Sequence, residues 1–195
     1  MANSELPQAR SSAKRRRLSA AAAQVLHQRG VERTTIADIA RAADVPVGNV
    51  YYYFKTKDDL VHAALAEQAQ SLAELTAVLE QGPDPIDRLH GLVDAWVGQR
   101  DVAARYGCPT GSLATDVGKR DDGDLDAEAG RVMRLSLDWC ERQLIEARVP
   151  DAADHALTLV SAYQGMSVMA NALRDPEVMT REGARLNRWL ESLRP

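Results

Sequence analysis

Residues 44–60, DVPVGNVYYYFKTKDDL, hold the densest set of side chains in this 195-residue chain that could contact a polyanion. Three tyrosines and one phenylalanine are consecutive at 51–54, although the whole chain has only five Tyr, one Phe and three Trp. Tyrosine hydroxyls donate to phosphate oxygens, lysines neutralise phosphates, and asparagine pairs bidentately with the edge of adenine. These residue types in one short segment indicate recognition of a nucleic acid.

The residues around this cluster predict two short helices joined by a turn. Thr35, followed three residues later by Asp38, is a capping-box variant that begins the first helix. Ala43-Asp44-Val45 forms the turn, and Pro46 suits the first position of the next helix because proline has no N–H group to leave unpaired. We therefore predict a helix-turn-helix, whose second helix enters the major groove of DNA with its N-terminal end.

This geometry gives the polar and exposed positions of the motif a role in DNA binding. The leading end of the second helix would read bases, and the residues one turn later would bind phosphates. The two lysines, with the amides that begin the following helix, would complete a phosphate clamp, and the basic run at 14–17 would reach the backbone or an adjacent minor groove. The predicted DNA-contacting residues are Arg15, Arg17, Thr35, Val47, Gly48, Asn49, Tyr51, Tyr52, Lys55 and Lys57.

Simpler roles are open for several of these residues. Tyr53 lies between the core positions Val50 and Phe54, so we expect it to pack within the protein. Packing is also the alternative for Tyr51 and Tyr52, and the basic run could be a solvated charge cluster. The order of the parts favours DNA binding more strongly than any one residue does.

The charge of the chain divides unevenly along its length. The net charge is −4, yet residues 1–60 hold ten Lys and Arg against six Asp and Glu, and residues 61–195 hold fourteen against twenty-two. A basic N-terminal segment on an acidic body is typical of a polyanion-binding module attached to a second domain.

Residues 17–60 resemble the DNA-binding domain of the tetracycline-repressor (TetR) family of bacterial regulators. The resemblance rests on the basic start, the Ala-rich first helix, Gly30, the segment TTIADIARAADV at 34–45 and the run YYYF at 51–54. It implies an all-α homodimer with an N-terminal three-helix DNA-binding domain and a C-terminal ligand-sensing domain. Family members commonly have Ser and a basic residue where this chain has Pro46 and Val47, so the resemblance implies no particular operator sequence.

Helical spacing continues through the rest of the chain, and no sustained alternation predicts a strand. We expect an all-α fold of about nine helices. A loose tail at 1–10 would precede a first helix from about Ser12 to Arg29, and the fifth helix would cover roughly 85–105. The expected division is a DNA-binding helix-turn-helix domain at 1–55 and an effector-binding and dimerisation domain at 56–195.

The segment YGCPTGSLATDV at 106–117 resembles a signature, seen here as GCPTGSLA, of the LmrA/YxaF-like branch of the same family. That branch implies repression of resistance and efflux genes that small, often aromatic, molecules relieve. Cys108 lies within the segment without a neighbouring basic residue to favour its thiolate, so we expect a buried structural residue rather than a redox sensor.

Apolar stripes in the C-terminal helices are interrupted by only a few polar side chains. In the family, helices at these places enclose the effector pocket, and plain core packing is the alternative for any one residue. Large or adaptable side chains with few polar groups suit a small apolar or aromatic effector that makes one or two hydrogen bonds. The candidate pocket residues are Gln68, Trp96, Met133, Ser136, Leu137, Tyr163 and Met169.

Residues 155–173 contain no charged side chain when His155 is neutral. Polar residues such as Gln164 exclude a lipid span, and small residues such as Gly165 allow another helix to approach closely. A helix without a charged face is expected to be buried on two sides. We therefore predict a homodimer formed by the helices at about 151–174 and 176–193 around a two-fold axis.

Other classes of function have little support. The four histidines are scattered and no catalytic or metal-ligand spacing occurs, so we expect no enzyme, no metal and no cofactor. No apolar run reaches the roughly 18 residues of a membrane span. Cys108 and Cys140 are far apart, which fits a cytoplasmic protein. An activator, a regulator without an effector and a non-specific nucleoid-type binder are the alternatives to a ligand-responsive repressor of a double-stranded DNA operator.

Overall fold

The computed structural model of the protein describes residues 5–120 and 123–194, with side chains from residue 11 onward. All regular secondary structure in these ranges is α-helical, so the predicted all-α fold is confirmed. No helix among the described residues is both long enough and apolar enough to cross a membrane. The helices are α1 (Glu5–Arg29), α2 (Ile36–Ala42), α3 (Val47–Tyr53), α4 (Lys57–Leu79), α5 (Pro85–Gly98), α6 (Arg100–Tyr106), α7 (Pro109–Gly118), α8 (Gly123–Glu146), α9 (Ala152–Leu173) and α10 (Glu177–Glu191).

Two boundaries differ from the predictions. α1 begins at Glu5, so residues 5–10 are helical where the sequence predicts a loose tail, and residues 1–4 lie outside the described ranges. The single helix predicted at 85–105 is two helices, because the backbone of Gln99 leaves the helical conformation between α5 and α6. The described part of the chain therefore has ten helices instead of about nine.

The chain forms two compact units. Unit 1 comprises Met1–Gln68 and Ser112–Ala129, and unit 2 comprises Ala69–Gly111 and Gly130–Pro195. The sequence-based division at residue 55 differs from this one. Most of α7 and the start of α8 belong to the same compact unit as the N-terminal helices.

The core of unit 1 forms where the apolar faces of its short helices meet. Leu18 and Leu26 of α1, Ile39 of α2 and Val50 of α3 are all buried. α2 packs against both α1 and α3. Helices of seven residues are unstable in isolation, so this shared core is what keeps α2 and α3 folded.

Polar contacts join α7 and α8 to the N-terminal helices within unit 1. One is a hydrogen bond from a backbone N–H to a carboxylate, and two pair a basic side chain with an acidic one. They are Val31 N to Asp116 Oδ2 (2.9 Å), Arg120 Nη2 to Asp58 Oδ1 (2.9 Å), and His62 Nδ1 with Glu128 Oε2. All three connect residues far apart in the sequence, which places residues 112–129 in this unit.

Unit 2 has its own apolar core, which includes Trp96 of α5, Trp139 of α8 and Leu159 of α9. α9 packs against α6 and α10, and α10 packs against α5. Gly183 of α10 permits the last contact, because a Cβ atom at this position would overlap the Val97 side chain.

Candidate nucleic-acid interface

The N-terminus of α2 is held by the predicted capping box, which is confirmed. The Thr35 hydroxyl accepts a hydrogen bond from the Asp38 N–H at 3.2 Å. The Asp38 carboxylate accepts from the Thr35 hydroxyl at 2.6 Å and from the Thr35 N–H at 3.1 Å. These bonds, with smaller contributions from Arg29 and Arg41, lower the pKa of Asp38 from 3.8 to about 2. Thr35 is exposed, and its contact with DNA stays a prediction.

Arg17 closes the turn between α2 and α3. Asp44 has a φ of 51°, a left-handed conformation that few residues other than glycine adopt. The Arg17 guanidinium donates to the backbone oxygen of Ala43 at 2.5 and 3.1 Å and to that of Asp44 at 2.6 Å. Carbonyl groups past the last helical turn have no hydrogen-bond donor within the helix, and the Arg17 guanidinium is the donor for these two. Its guanidinium, predicted to contact DNA, thus binds the protein's own backbone.

α3 presents most of its surface to solvent. Val50 is the one buried side chain of its seven residues. Tyr51 and Tyr52 are 47% and 76% exposed, so packing in the core does not account for them. Val47 is 42% exposed, and Gly48 and Asn49 are also exposed. An exposed cluster of apolar, aromatic and amide groups on one short helix marks an interaction surface.

Gly48 occupies the second position of α3 although the fold does not require glycine there. Its φ is not left-handed, and a Cβ atom would meet no other atom within 4 Å. Glycine inside a helix costs about 1 kcal/mol relative to alanine. No contact within the protein accounts for glycine at this position, and the approach of DNA to its backbone stays a prediction. α3 starts one residue later than predicted, since Pro46 is its N-cap.

The first amides before α4 are occupied by a carboxylate of the protein itself. Asp59 accepts hydrogen bonds from the N–H groups of Thr56 at 3.0 Å and Lys55 at 2.7 Å. These bonds lower the pKa of Asp59. These two amides are therefore not available to the predicted phosphate clamp, because they already donate to Asp59.

The lysine side chains beside α3 have no carboxylate partner among the described residues. Lys55 Nζ donates to the backbone oxygen of Tyr51 at 2.5 Å, and Lys57 Nζ donates to that of Glu32 at 3.4 Å. Both are part of unit 1, as are all ten predicted DNA-contacting residues. Every one of the ten is exposed except Lys57, which is half-buried.

Two of the candidate effector-binding residues stack on each other inside unit 2. The rings of Trp96 and Tyr163 have centroids 4.2 Å apart and planes inclined by 12°. Burial, and then the neighbouring Cys108, raise the pKa of Tyr163 well above its ordinary value of 10. The Tyr163 hydroxyl therefore stays protonated at neutral pH, and it lies within hydrogen-bonding reach of the Cys108 and Ser167 side chains.

A polar group that the sequence analysis missed lies beside this stack. Gln164 Nε2 lies 3.5 Å from Cys108 Sγ and 3.6 Å from Met133 Sδ. The Gly111 N–H donates to Cys108 Sγ at 3.4 Å. The signal for Gln164 was its position in the uncharged segment 155–173, but only the fold brings it to Cys108 and Met133. Aromatic, sulfur and amide groups together suit an apolar ligand with few hydrogen bonds.

The other candidate pocket residues are distributed differently. Ser136 and Leu137 are half-buried on α8, and Leu137 packs against the core of unit 2. Gln68 is half-buried and belongs to unit 1. Met169 is 51% exposed on α9, and its part in an effector pocket stays a prediction.

α9 carries an apolar stripe on its exposed surface. Leu157 and Val168 are eleven residues, or three turns, apart, and Met169 and Leu173 are four residues apart, so each pair lies on one side of the helix. Small exposed residues lie among them, including Gly165. The exposed large apolar residues of α9 are Leu157, Val168, Met169 and Leu173.

The comparisons with known proteins agree with the helix-turn-helix. Residues 18–64 match the family model described as bacterial regulatory proteins, tetR family. An uncharacterised HTH-type transcriptional regulator of Mycobacterium tuberculosis is 24% identical over 169 residues, which cover 83% of this chain and 86% of that protein. The HTH-type transcriptional regulator TtgR of Pseudomonas putida is 39% identical over 69 residues, which cover 35% of this chain and 32% of TtgR.

Solved structures share the fold over nearly the whole chain. A TetR-family transcriptional regulator from Streptomyces coelicolor has a TM-score of 0.79 at 19% identity, over 94% of this chain and 97% of the other. Reduced NemR of E. coli has a TM-score of 0.76 at 21% identity, over 92% and 96%. At these identities the likeness shows the fold alone. Together, residues 18–64 are similar to the tetR family of bacterial regulatory proteins, and the chain shares the fold of these solved transcriptional regulators.

Proposed function

We propose that the protein is a ligand-responsive repressor that binds a palindromic operator as a homodimer and is released by a small, mostly apolar or aromatic effector. The exposure of α3 carries this proposal. A helix with one buried side chain presents Val47, Gly48 and Asn49 at its leading end, where a recognition helix reads base edges. The helix-turn-helix at 1–55 would bind DNA, and residues 56–195 would bind the effector and form the dimer.

The surface of α9 supports the homodimer. Its apolar stripe is exposed to solvent in the single chain. The same stripe on a second copy, related by a two-fold axis, would cover it. Gly165 would let the helices approach closely. Beside the stripe, Arg185 of α10 is already paired with Glu182, at 2.9 Å between Nε and Oε2. The two copies of α3 would then enter successive major grooves about 34–36 Å apart.

The stack of Trp96 and Tyr163 supports an effector site in unit 2. With Met133 and Gln164 it offers a flat apolar surface, a thioether and one amide. An effector releases the protein from DNA only if it binds one conformation more tightly than the other. The two groups that would orient a ligand here are the Tyr163 hydroxyl and the Gln164 amide.

Repression is favoured by one further relative. The HTH-type transcriptional repressor KstR2 of Mycolicibacterium smegmatis is 32% identical over 72 residues, which cover 36% of this chain and 35% of KstR2. Control of efflux or resistance genes rests on the resemblance of residues 106–117 to the LmrA/YxaF-like branch. The site of action would be DNA in the cytoplasm.

Selection of bound duplexes from a random-sequence pool tests the DNA-binding part. We expect an inverted repeat that is protected at about 150 mM salt in excess random competitor. Asn49→Ala should lower affinity for the selected site by about 1–3 kcal/mol and relax the preference at one position of each half-site. Arg142→Gln, an exposed change in unit 2, is the control. Binding that competitor abolishes would favour the nucleoid-type alternative.

A panel of apolar and aromatic compounds tests the effector part. We expect at least one compound to raise the unfolding temperature and to lower operator affinity. Tyr163→Phe removes the hydroxyl but keeps the stacked ring, so it should reduce both effects. A panel without any thermal shift would favour a regulator without an effector.

A further inference from the structure

The turn between α2 and α3 has the hydrogen bonds of a Schellman motif, a common C-terminal cap of helices. The Val45 N–H donates to the Ala40 oxygen at 2.9 Å. The Asp44 N–H donates to the Arg41 oxygen at 3.2 Å. Val45 and Ala40 are both buried, as expected for the apolar pair that accompanies this motif. The motif requires a left-handed residue at the position that Asp44 occupies.

Asp44 is the strained residue of this turn. Its φ of 51° is left-handed, and glycine usually occupies such a position because a Cβ atom makes this conformation unfavourable. The Asp44 side chain is fully exposed, so packing does not hold the residue in place. The left-handed conformation therefore depends on contacts that the backbone of the turn makes.

The Arg17 guanidinium binds the two peptide groups on either side of the Asp44 Cα atom. Its Nε and Nη2 atoms donate to the Ala43 oxygen, and Nη2 also donates to the Asp44 oxygen at 2.6 Å. The relative orientation of these two oxygens depends on the φ and ψ angles of Asp44. A guanidinium is planar and rigid, so one that binds both oxygens at once favours the left-handed conformation.

The conformation of Asp44 determines the direction of α3. Only Val45 and Pro46 separate Asp44 from the first residue of α3, and the ring of Pro46 fixes its φ, which is −55°. A rotation at Asp44 would therefore move α3 as a whole. Arg17 is itself anchored in α1, because the next residue, Leu18, is completely buried. The guanidinium thus connects the direction of α3 to α1.

We infer that Arg17 is a positioning residue, which holds Asp44 in the left-handed conformation and thereby sets the direction in which α3 meets DNA. The inference rests on the proposed function, because it concerns how α3 presents its base-reading end. It assigns Arg17 a different role from the predicted DNA contact. A phosphate contact strengthens binding to every duplex, whereas the direction of α3 affects discrimination between base sequences.

Arg17→Gln in three backgrounds tests the inference: wild type, Asp44→Gly and Asp44→Ala. The two Asp44 variants remove the same carboxylate, but only glycine adopts the left-handed conformation without cost. In the wild-type background we expect Arg17→Gln to lower affinity for the selected duplex by roughly 5–30-fold, the factor that corresponds to the cost of a left-handed residue. The loss should be within about twofold in Asp44→Gly. In Asp44→Ala it should be at least as large as in wild type.

The ratio of affinities for the selected and a random duplex separates positioning from stability. We expect Arg17→Gln to lower this ratio in the wild-type background, and we expect Asp44→Gly to restore it. A loss of folded protein would lower binding to both duplexes by the same factor and leave the ratio unchanged. Binding is measured under conditions in which urea titrations show every variant to be fully folded.

Arg16→Gln is the matched control, because it removes the same charge from the neighbouring exposed position of α1. Its effect should be the same in all three backgrounds, and the affinity ratio should not change. If Asp44→Ala does not fold, the wild-type and Asp44→Gly backgrounds decide, and Arg16→Gln reports the effect of the lost carboxylate.

Equal losses for Arg17→Gln in every background, or an unchanged affinity ratio, would overturn the positioning role while the proposed function stands. A wild-type protein that selects no duplex would overturn the proposed function, and the inference with it.

Discussion

At the scale of single residues, the candidate interface consists of side chains that are exposed or have no ionic partner within the described part of the protein. Tyr52 is largely exposed, and Lys55 and Lys57 have no carboxylate partner among the described residues. Arg17 has more contacts within the protein, because its guanidinium donates to two backbone oxygens of the turn and lies 3.7 Å from the Asp44 carboxylate. We therefore expect Lys55 and Lys57, which each donate to one backbone oxygen, to be more available than Arg17 for contact with DNA.

Gly48→Ala should separate stability from DNA binding. A Cβ atom at this position meets nothing within 4 Å in the protein, and alanine favours the helix by up to about 1 kcal/mol. We expect a higher free energy of unfolding in urea but weaker binding to the selected duplex. Gly98→Ala in unit 2, where a Cβ also meets nothing, should change stability without affecting DNA binding. Unchanged affinity in Gly48→Ala would show that DNA does not approach this backbone.

Asp38 should contribute to stability in a defined range of pH. Its pKa is lowered from 3.8 to about 2, chiefly by the bonds from Thr35, so the folded state favours the carboxylate. The contribution is present above the unfolded pKa and is lost as the pH falls from 3.8 towards 2. The free energy of unfolding of the wild type should exceed that of Asp38→Asn by a constant amount above about pH 5. Below about pH 5 this difference should become smaller. A difference that stays constant down to pH 2 would contradict the role of the capping box.

At the scale of elements, the two residues that follow α1 connect it to α7. Gly30 ends α1 with a φ of 78°, and the next residue, Val31, donates its N–H to Asp116 of α7 at 2.9 Å. The helix end, the positive φ and the contact with α7 therefore depend on one another. This end of α1 connects the helix-turn-helix to the later segment of unit 1.

Gly30→Ala should destabilise unit 1. The left-handed conformation costs a residue with a Cβ atom about 1–2 kcal/mol, and the Cβ would also lie 2.8 Å from Asp116 Oδ2. We expect the free energy of unfolding to fall by at least this amount in a urea titration. Gly130→Ala on α8, where a Cβ meets nothing within 4 Å, should be neutral or slightly stabilising. Equal stabilities of the two variants would mean that the end of α1 tolerates a side chain.

At the scale of the whole molecule, the proposed regulator depends on pairing two copies. The apolar stripe of α9 is the surface in unit 2 that a second chain would cover. One chain alone supplies one α3, whereas a palindromic operator requires two. Dimerisation would thus contribute to operator affinity without any new contact to a base.

Val168→Glu should produce monomers and weaken operator binding. Val168 is 65% exposed on the stripe of α9, and a buried carboxylate at a dimer interface is strongly unfavourable. The matched control is Val78→Glu, since Val78 of α4 is 63% exposed and also belongs to unit 2. Light scattering after size exclusion should report a monomer mass for the first variant and a dimer mass for the second. A dimer in both would place the interface elsewhere.

The sequence by itself determined those features that depend on neighbours within one or two helical turns. The helices, the Thr35–Asp38 capping box and the helix-turn-helix follow from spacings of three and four residues and from the conformational preferences of Pro and Gly. The break at Gln99 was missed although Gly98, a residue that weakens helices, directly precedes it, because the apolar pattern alone continues through this position.

Only the tertiary structure decided which distant residues meet. Arg17 donates to a turn 26 residues away, and Gln164 reaches Cys108. Such contacts depend on how helices are oriented against one another. A periodic pattern shows that a helix has an apolar face, but it does not show which partner each residue on that face will meet.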